Sequence, residues 1–296
     1  MNGLTLRHLR YFEALAQHGH FGRAAEACGV SQPALSIQMK ELEQIVGSPL
    51  VERGARQVRL TGVGEVFLLR VRDILRSVDE LASLARSQSE ELTGRLRIGV
   101  IPTVAPYLLP KVIEGLSERF PDLDLRLREA VTQKLVGDLI EGRLDVAIVA
   151  LPISEASLVE HPLFTEEFVL VRPLADAGKP VPRPENLREM RLLLLEEGHC
   201  FRDQALSFCK MPSASPRDLM EGSSLSTLVQ MVGAGIGVTL IPQMAIAVET
   251  RIAAVSIARL PEPWPVRTIG LVWRRKNPLG KQFATLIDIL RDAAVA

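Results

Sequence analysis

Apolar residues recur at helical spacing in three short segments at the start of the chain. In the first segment, residues 5–17, they are three or four positions apart, and Gly19 ends the segment. A second short helix is predicted over 21–28. A third is predicted from Ser31, whose hydroxyl can cap the helix while Pro33 occupies its first turn. The pattern therefore predicts three helices, the last two joined by a tight turn.

The pattern changes twice after the third helix. Residues 50–60 alternate around Gly54, which is typical of a short hairpin. From Thr61 to about Glu91 apolar residues again recur every three or four positions. At a rise of roughly 1.5 Å per residue this helix would span about 45 Å. Because its apolar face is too long to stay uncovered, we expect it to pair with a second copy of the chain.

Strands and helices alternate after Thr93, which is typical of βαβ units around a parallel sheet. A second unit over 168–266, followed by a return of the chain to the first, predicts two lobes with a cleft between them. The predicted strands are 95–100, 124–129, 145–150, 192–196, 238–242 and 267–273, and the predicted helices are 106–120, 132–142 and 279–293.

The predicted fold class is an all-α winged helix-turn-helix domain and a long linker helix, followed by an α/β effector region. We expect the first domain over 1–60, the linker over 61–92 and the effector region over 93–296. The effector region would contain two Rossmann-like lobes. Lobe I would take about 93–167 and 267–296, and lobe II about 168–266.

Composition and charge exclude several classes of protein. The chain is 47% hydrophobic and 24% charged, as expected for a globular protein with a sizeable core. Its 35 basic residues balance 35 acidic ones, and residues 1–61 hold only seven basic against five acidic residues. The N-terminus lacks the apolar core of a signal peptide, and no run of eighteen apolar residues occurs. We expect a cytoplasmic protein without membrane contact.

The second and third helices have the features of a DNA-binding helix-turn-helix. Such a pair needs small residues in the first helix, a tight turn, and short polar side chains opening the second. An ordinary helical hairpin, in which Ser31 only caps and Gln32 is only solvated, is the alternative, and any single cation also fits a solvated face. The candidate base contacts are Gln32, Ser36 and Gln38, the candidate phosphate contacts are Arg23, Lys40, Arg53 and Arg56, and Ser31, Pro33 and Ala34 complete the surface.

The segment FGRAAEACGVSQPALSIQMKELEQIVGSPLVERGARQVRLTGVGE, residues 21–65, resembles the DNA-binding domain of LysR-type transcription regulators. The resemblance implies a regulator rather than an enzyme, with double-stranded promoter DNA and RNA polymerase as partners. It also implies a linker helix that forms dimers, tetramers built from those dimers, and effector lobes of the periplasmic-binding-protein type.

Two of the three cysteines lie nine residues apart in EEGHCFRDQALSFCK, residues 196–210. Cys200 is predicted on a loop that opens onto the cleft, and hydrogen-bonding or cationic neighbours such as His199 and Arg202 favour the reactive thiolate. A helix between the cysteines would separate their Cα atoms by about 13.5 Å. Since a disulfide tolerates about 7 Å, pairing with Cys209 would require this helix to unwind. The alternative is two unrelated buried thiols.

A second resemblance concerns these cysteines. LLLLEEGHCFRDQALSFC, residues 192–209, closely resembles the redox segment of the peroxide-sensing members of the LysR family, and IGVIPTVAPYLLP, residues 98–110, resembles their first effector strand and helix. The resemblance implies that hydrogen peroxide oxidises Cys200 to a sulfenic acid, which Cys209 resolves to a disulfide. It also implies reset by a thiol reductant of the glutaredoxin or thioredoxin type.

The same resemblance implies a peroxide pocket built by Thr103, Thr132 and His199. Their hydroxyl and imidazole groups can hold both oxygens of a peroxide and protonate the leaving hydroxide, and Arg202 would support the thiolate. The alternative role for the two threonines is capping of the helices that follow them, which is compatible with a place in the pocket.

Other candidate sites are excluded by their spacing. GAGIG at 233–237 precedes a strand instead of following one, so no dinucleotide cofactor is expected. Cys28 is expected to pack as a small apolar side chain. No metal site is expected because the remaining histidines lack cysteine or histidine partners at metal-ligand spacing: His8, His18, His20 and His161.

A second function remains open beside peroxide sensing. A LysR-type regulator can respond to a small organic effector in the inter-lobe cleft, with the thiols incidental. A thiol peroxidase and a solute-binding protein are more distant alternatives, because the amino-terminal domain argues against both.

Overall fold

The computed structural model describes residues 3–52, 58–86, 92–209 and 220–295. The chain divides into two compact units, Met1–Ala85 and Arg86–Ala296. The first unit has one hydrophobic core, and the second has two.

Three helices build the core of the first unit, as predicted. The Ser31 hydroxyl accepts a hydrogen bond from the Ala34 N–H at 3.4 Å, which confirms the predicted cap, and Pro33 lies in the first turn. Phe12 and Leu35 are fully buried at the contact between the helices. The helices are α1 (Leu6–His18), α2 (Phe21–Ala27) and α3 (Gln32–Val46).

The segment after α3 has the start of the predicted hairpin. Val51 and Leu60 form an antiparallel bridge, and the Glu52 N–H donates to the Arg59 carbonyl at 2.9 Å. Residues 53–57, with the predicted phosphate contacts Arg53 and Arg56, lie outside the described residues.

The long helix α4 (Gly62–Arg86) begins close to α3 and has two apolar faces. A Cβ at Gly64 would overlap the Leu50 carbonyl, so the close approach of α4 requires glycine there. One face packs into the core of the first unit through Leu68, Val71 and Leu75. The last predicted turn, 87–91, lies outside the described residues. Large apolar side chains also stay exposed on this helix: Val63, Val66, Leu69, Ile74 and Leu81.

The second unit is a mixed α/β structure of nine strands and six α-helices in its described ranges. The sheet order is β2-β1-β3-β9-β4-β7-β5-β6, with β8 paired to β4. The strands are β1 (Gly94–Val100), β2 (Leu123–Glu129), β3 (Val146–Leu151), β4 (Leu158–Pro173), β5 (Leu192–Leu195), β6 (Glu221–Gly222), β7 (Val238–Pro242), β8 (Val255–Arg259) and β9 (Val266–Arg274). The helices are α5 (Ala105–Arg119), α6 (Thr132–Ile140), α7 (Cys200–Phe208), α8 (Leu225–Gly233), α9 (Ile246–Glu249) and α10 (Phe283–Val295).

The parallel pairing predicted for the βαβ units is confirmed within each lobe, and two antiparallel crossing strands connect the lobes. Within the lobes β1 pairs in parallel with β2 and β3, and β5 pairs in parallel with β6 and β7. The central strands β4 and β9 are antiparallel to each other, because one leaves lobe I while the other returns to it. Residues 158–167 of β4 pair with β9, and residues 168–173 pair with β7 or β8. Each lobe has its own core on either side of this crossing.

The last helix begins later than predicted. Residues 278–281 form a 3₁₀ turn, in which the Asn277 side chain accepts a hydrogen bond from the Leu279 N–H at 3.0 Å. α10 therefore begins at Phe283, four residues after the predicted start.

Candidate functional site

The start of α3 presents the polar residues predicted to contact DNA. Ser31, Gln32, Pro33 and Ala34 are exposed, whereas Ser36 and Gln38 are half-buried. The Gln38 amide donates to the Glu41 carboxylate at 2.9 Å, which leaves its second N–H and its oxygen for a base contact.

The two described cations of this surface differ in their contacts. The Arg23 guanidinium donates to the His18 carbonyl at 2.9 Å, and Lys40 is exposed on α3. Ile37, which the sequence analysis did not single out, is 64% exposed on the same helix. An exposed apolar side chain there can contact a thymine methyl group. The sequence does carry a signal for this exposure, because Ile37 lies outside the row of buried residues along α3.

A small pocket in the second unit brings four predicted site residues together. The space in it that a water-sized molecule can occupy is about 0 Å³. Thr103 comes from the turn after β1, Thr132 begins α6, and His199 and Cys200 open α7. The full lining is Ile101, Pro102, Thr103, Val131, Thr132, His199, Cys200 and Phe201.

Cys200 lies on a helix and not on the predicted loop. It is the first residue of α7, with His199 at the N-cap position. Gly198, just before this helix, has φ +97°, a left-handed conformation that glycine adopts without strain. Cys200 thus occupies the end of the helix where the backbone dipole is positive. Its side chain is half-buried and packs against the core of lobe I.

Thr132 has an unusual hydroxyl. Its Oγ1 atom is buried and has no hydrogen-bond partner among the described residues. The capping alternative does not hold for either threonine, because neither α5 nor α6 has a side-chain cap. A buried hydroxyl without a partner costs free energy, so it indicates a place where a ligand supplies the missing hydrogen bond.

Thr103 is held by Arg267, a residue that the sequence analysis did not identify. Arg267 donates to the Thr103 hydroxyl at 2.8 Å and to its backbone carbonyl at 3.0 Å. The same guanidinium pairs with Glu166 at 2.7 Å and lies 5.3 Å from the ring centroid of Phe201. The Arg267 side chain is fully buried, at 0% exposure. It therefore fixes one wall of the pocket from the crossing strand β9.

His199 lines the pocket without a hydrogen bond from its ring to any described residue. Burial lowers the pKa of His199 below its ordinary value of 6.5, although the charges of Glu196 and Glu129 act in the opposite direction. The imidazole is therefore neutral near pH 7, with one nitrogen that donates and one that accepts a hydrogen bond.

Arg202 does not contact the Cys200 sulfur. Its guanidinium donates to the Leu195 carbonyl at 2.8 Å and pairs with Glu221 at 2.7 Å. These contacts tie the first turn of α7 to β5 and β6. Arg202 therefore supports the position of the helix that carries Cys200.

Cys209 follows the last turn of α7 and is 3% exposed in the core of lobe II. Burial raises the pKa of its thiol to about 11. All three cysteines are free thiols in this structure. Nine residues of helix separate the Cα atoms of Cys200 and Cys209 by about 13.5 Å, so α7 must unwind before the two sulfurs can meet.

A hydrogen bond joins the two lobes outside the thiol pocket. The Tyr107 hydroxyl on α5 donates to the Glu249 carboxylate on α9 at 2.6 Å. Burial and this hydrogen bond raise the pKa of Tyr107. The pair was not evident from the sequence, because 142 positions separate its members.

Cys28 is half-buried and packs against the core of the first unit, as expected. In the described part of the chain, no cluster of histidine, cysteine and carboxylate side chains is suited to a metal ion. No helix in those same ranges is long and apolar enough to cross a membrane.

Two family profiles match the chain. A profile described as "Bacterial regulatory helix-turn-helix protein, lysR family" matches residues 6–65. A second, "LysR substrate binding domain", matches residues 89–295.

Similar proteins match over almost the whole length. A probable hydrogen peroxide-inducible genes activator of Streptomyces viridosporus is 44% identical over 294 residues, which cover 98% of this chain and 94% of the relative. The DNA-binding transcriptional dual regulator OxyR of Escherichia coli K12 is 41% identical over 292 residues, which cover 97% and 95%.

Solved structures agree with these relatives. Full-length OxyR from Pseudomonas aeruginosa with a cysteine-to-aspartate substitution matches with a TM-score of 0.78 and 37% identity, covering 100% of this chain and 97% of that one. A cysteine-to-serine mutant of Corynebacterium glutamicum OxyR with hydrogen peroxide bound matches with a TM-score of 0.68 and 35% identity, covering 98% and 92%.

Proposed function

The chain belongs to the LysR family of bacterial helix-turn-helix regulators, and we propose that it is the member that switches transcription in response to hydrogen peroxide. In this proposal peroxide oxidises Cys200, and a disulfide with Cys209 rearranges the protein on its promoter. The protein would act in the cytoplasm as part of the oxidative-stress response.

One observation carries the proposal: the unpartnered Thr132 hydroxyl is buried in the pocket that also contains the Cys200 side chain. The space that a water-sized molecule can occupy in this pocket is about 0 Å³, whereas typical sites for organic ligands take roughly 300–1,000 Å³. Hydrogen peroxide is small and carries two donors and two acceptors. It therefore needs a much smaller opening of the pocket than an organic effector does to bind the Thr103 and Thr132 hydroxyls beside the sulfur.

The first chemical step oxidises Cys200 and reduces peroxide. A neutral His199 can accept the thiol proton, since geometry places both side chains in one pocket. The thiolate attacks one peroxide oxygen, so that an S–O bond forms while the O–O bond breaks. The departing hydroxide takes the proton from His199 and leaves as water.

The second step needs movement of the backbone. Cys209 is buried with a raised pKa, so it stays a thiol until α7 unwinds and exposes it to solvent. Its thiolate then attacks the Cys200 sulfur, an S–S bond forms, and the sulfenic oxygen leaves as hydroxide. A dithiol reductant of the glutaredoxin or thioredoxin type would restore both thiols.

A thiol map by mass spectrometry tests this proposal. The reduced full-length chain is treated with one equivalent of hydrogen peroxide, alkylated and digested. We expect a Cys200–Cys209 disulfide and a free Cys28. If Cys200 and Cys209 both remain free, the redox proposal fails and a small organic effector becomes the better hypothesis.

Oligomers of the chain would carry the signal to DNA. The exposed apolar face of α4, which includes Val66, Leu69 and Leu81, is suited to pairing with α4 of a second copy. We propose a dimer through this helix and a tetramer of such dimers, with α3 of each copy in the major groove of promoter DNA. RNA polymerase would be the partner that responds to this rearrangement of the protein on its promoter.

Thr132→Val should make the protein more stable and less reactive. The substitution removes a buried hydroxyl without a partner, so we expect the free energy of unfolding to rise by about 1 kcal/mol. Oxidation of Cys200 should slow by roughly tenfold to a hundredfold because peroxide loses one hydrogen bond. Stopped-flow oxidation and urea unfolding measure the two effects.

Thr250→Val is the matched control, because the Thr250 hydroxyl already donates to the Ile246 carbonyl at 2.8 Å. It should leave the oxidation rate unchanged and give no gain in stability. Equal oxidation rates for Thr132→Val and the parent would remove Thr132 from the peroxide site.

His199 should make stability depend on pH below neutrality. Since the folded chain holds the pKa of His199 below 6.5, the unfolded chain takes up this proton first as the pH falls. The free energy of unfolding should therefore decrease as the pH is lowered through 6.5. His199→Gln should remove this part of the dependence. The measurement is the urea midpoint of unfolding for parent and variant at pH 7.5 and at pH 5. A difference between the two proteins that is the same at both pH values would contradict the expectation.

A further inference from the structure

Five arginines line one open pocket of lobe I that is distinct from the thiol pocket. Its volume is about 390 Å³, whereas the thiol pocket has about 0 Å³ that a water-sized molecule can occupy. The peroxide chemistry uses none of these residues. The lining residues are Arg95, Arg97, Arg126, Arg128, Arg143, Leu127 and Leu144, and we call them the arginine pocket.

The register of two parallel strands brings the arginines together. Arg97 on β1 lies directly opposite Arg126 on β2, and Arg95 and Arg128 occupy the positions before and after this pair. Neighbouring strands lie about 4.8 Å apart, and successive positions on one face are about 6.7 Å apart. The four residues therefore place guanidinium groups along about 13 Å of one face of the sheet.

Arg97 and Arg126 place two like charges opposite each other on paired strands. The core of lobe I is built by the other face of β1, where Leu96 and Ile98 are buried. The arginine face of β1 therefore does not belong to this core.

Carboxylates hold the arginines in place. Asp145 binds the Arg97 guanidinium with two hydrogen bonds of 2.9 and 3.1 Å. Asp138, which is 0% exposed, pairs with Arg128 at 2.9 Å. In the described ranges six cations share four carboxylates in this cluster. The cations are Arg95, Arg97, Arg126, Arg128, Lys134 and Arg143, and the carboxylates are Asp124, Asp138, Glu141 and Asp145.

The outermost carboxylate is the one that an anion can replace. Asp124 is half-buried and pairs with Arg95 at 3.0 Å and with Arg126 at 2.7 Å. Arg126 itself is 65% exposed, so its guanidinium is open to solvent on the side of the pocket. Asp124 therefore marks the place where a negative charge is already favoured.

We propose that the arginine pocket binds a small anion with at least two phosphate groups. The guanidinium fork matches phosphate oxygens with two parallel hydrogen bonds. One phosphate cannot reach arginines spread over about 13 Å, whereas linked phosphates can bridge neighbouring positions of the ladder. The volume of about 390 Å³ is within the range of small-molecule sites. Such a ligand would give the effector region a second regulatory signal besides oxidation of the thiol pair.

Calorimetric titration of the reduced full-length chain with inorganic pyrophosphate tests the proposal, with orthophosphate and ADP titrated in parallel at fixed ionic strength. We expect one pyrophosphate per chain, bound more tightly than orthophosphate. Tighter binding of ADP than of pyrophosphate would assign the site to nucleotides, and the reverse order to inorganic polyphosphate. Either order supports the proposal.

Two substitutions at the rim should act in opposite directions. Arg126→Gln should weaken binding at least about tenfold, because a charge-assisted contact is lost. Asp124→Asn should tighten it, because the carboxylate no longer competes for Arg95 and Arg126. Arg251→Gln, at an exposed arginine of lobe II, is the matched control and should change nothing. A gain in affinity cannot result from misfolding, so Asp124→Asn keeps the test valid if Arg126→Gln is unstable.

Three results would overturn the proposal. The first is an isotherm that neither rim substitution changes. The second is displacement of pyrophosphate by duplex DNA, which would place the anion on the helix-turn-helix. The third is a change in oligomeric state in Arg126→Gln with no pyrophosphate bound by the parent, which would make the pocket an interface between copies.

Discussion

Replacement of Cys200 by serine is expected to abolish peroxide-dependent transcription completely. A hydroxyl at this position cannot form the S–O bond that begins the switch, and the loss is therefore not a matter of degree. Binding of the reduced chain to DNA should be unchanged, because α3 lies in a unit with its own hydrophobic core. A peroxide-induced reporter and a gel-shift titration measure the two properties.

The other two cysteines provide the controls. Cys28→Ser should respond to peroxide like the parent, since Cys28 belongs to the first unit. Cys209→Ser should still oxidise at Cys200 but should stop at the sulfenic acid, which a dimedone-type probe labels. A Cys200→Ser variant that keeps its response would show that the signal does not pass through this thiol.

Replacement of Arg267 by methionine is expected to destabilise the effector unit by roughly 3–5 kcal/mol. The substitution leaves Glu166 buried without its partner, and removal of one member of a buried ion pair has costs of this size. Thr103 also loses both hydrogen bonds that hold it in the pocket wall, so oxidation of Cys200 should slow as well. Urea unfolding of the effector unit and stopped-flow oxidation measure these losses.

A double variant distinguishes the role of Arg267 in positioning Thr103 from its role in the stability of the effector unit. Arg267→Met with Glu166→Gln no longer buries an unpaired carboxylate, so much of the stability should return while oxidation of Cys200 stays slow. Arg259→Met is the matched control, because Arg259 forms its ion pair with Glu167 at the surface and should cost little in either measurement. If the double variant regained the parent's oxidation rate, Arg267 would be a structural residue only.

The helix-turn-helix could be predicted from the sequence because its signals are local. The cap at Ser31, the proline in the first turn and the apolar spacing of each helix act within a few residues of one another. The strands and helices inside each lobe follow from the same kind of pattern. The predictions were less accurate at helix starts: α7 begins at Cys200, so the thiol lies on a helix and not on the predicted loop.

The return of the chain to lobe I could be predicted, but the antiparallel direction of the crossing strands could not. An apolar strand looks the same in sequence whether its neighbour is parallel or antiparallel, so the direction of β4 and β9 depended on the path of the whole chain. The same holds for the arginine pocket. The two Arg-Leu-Arg segments read as ordinary alternating strands, and only their register places Arg97 opposite Arg126.

The sequence by itself determined the helix-turn-helix, the succession of α/β units and, through a resemblance, the residues expected around peroxide. Only the tertiary structure decided what holds those residues in place. Arg267 lies 164 positions from Thr103 and 101 from Glu166, so no local pattern connects them. The Thr132 hydroxyl likewise has an ordinary appearance in the sequence, and its lack of a partner is evident only from the surrounding elements. Local propensities specify helices and strands, whereas buried polar contacts between distant segments depend on how those elements pack.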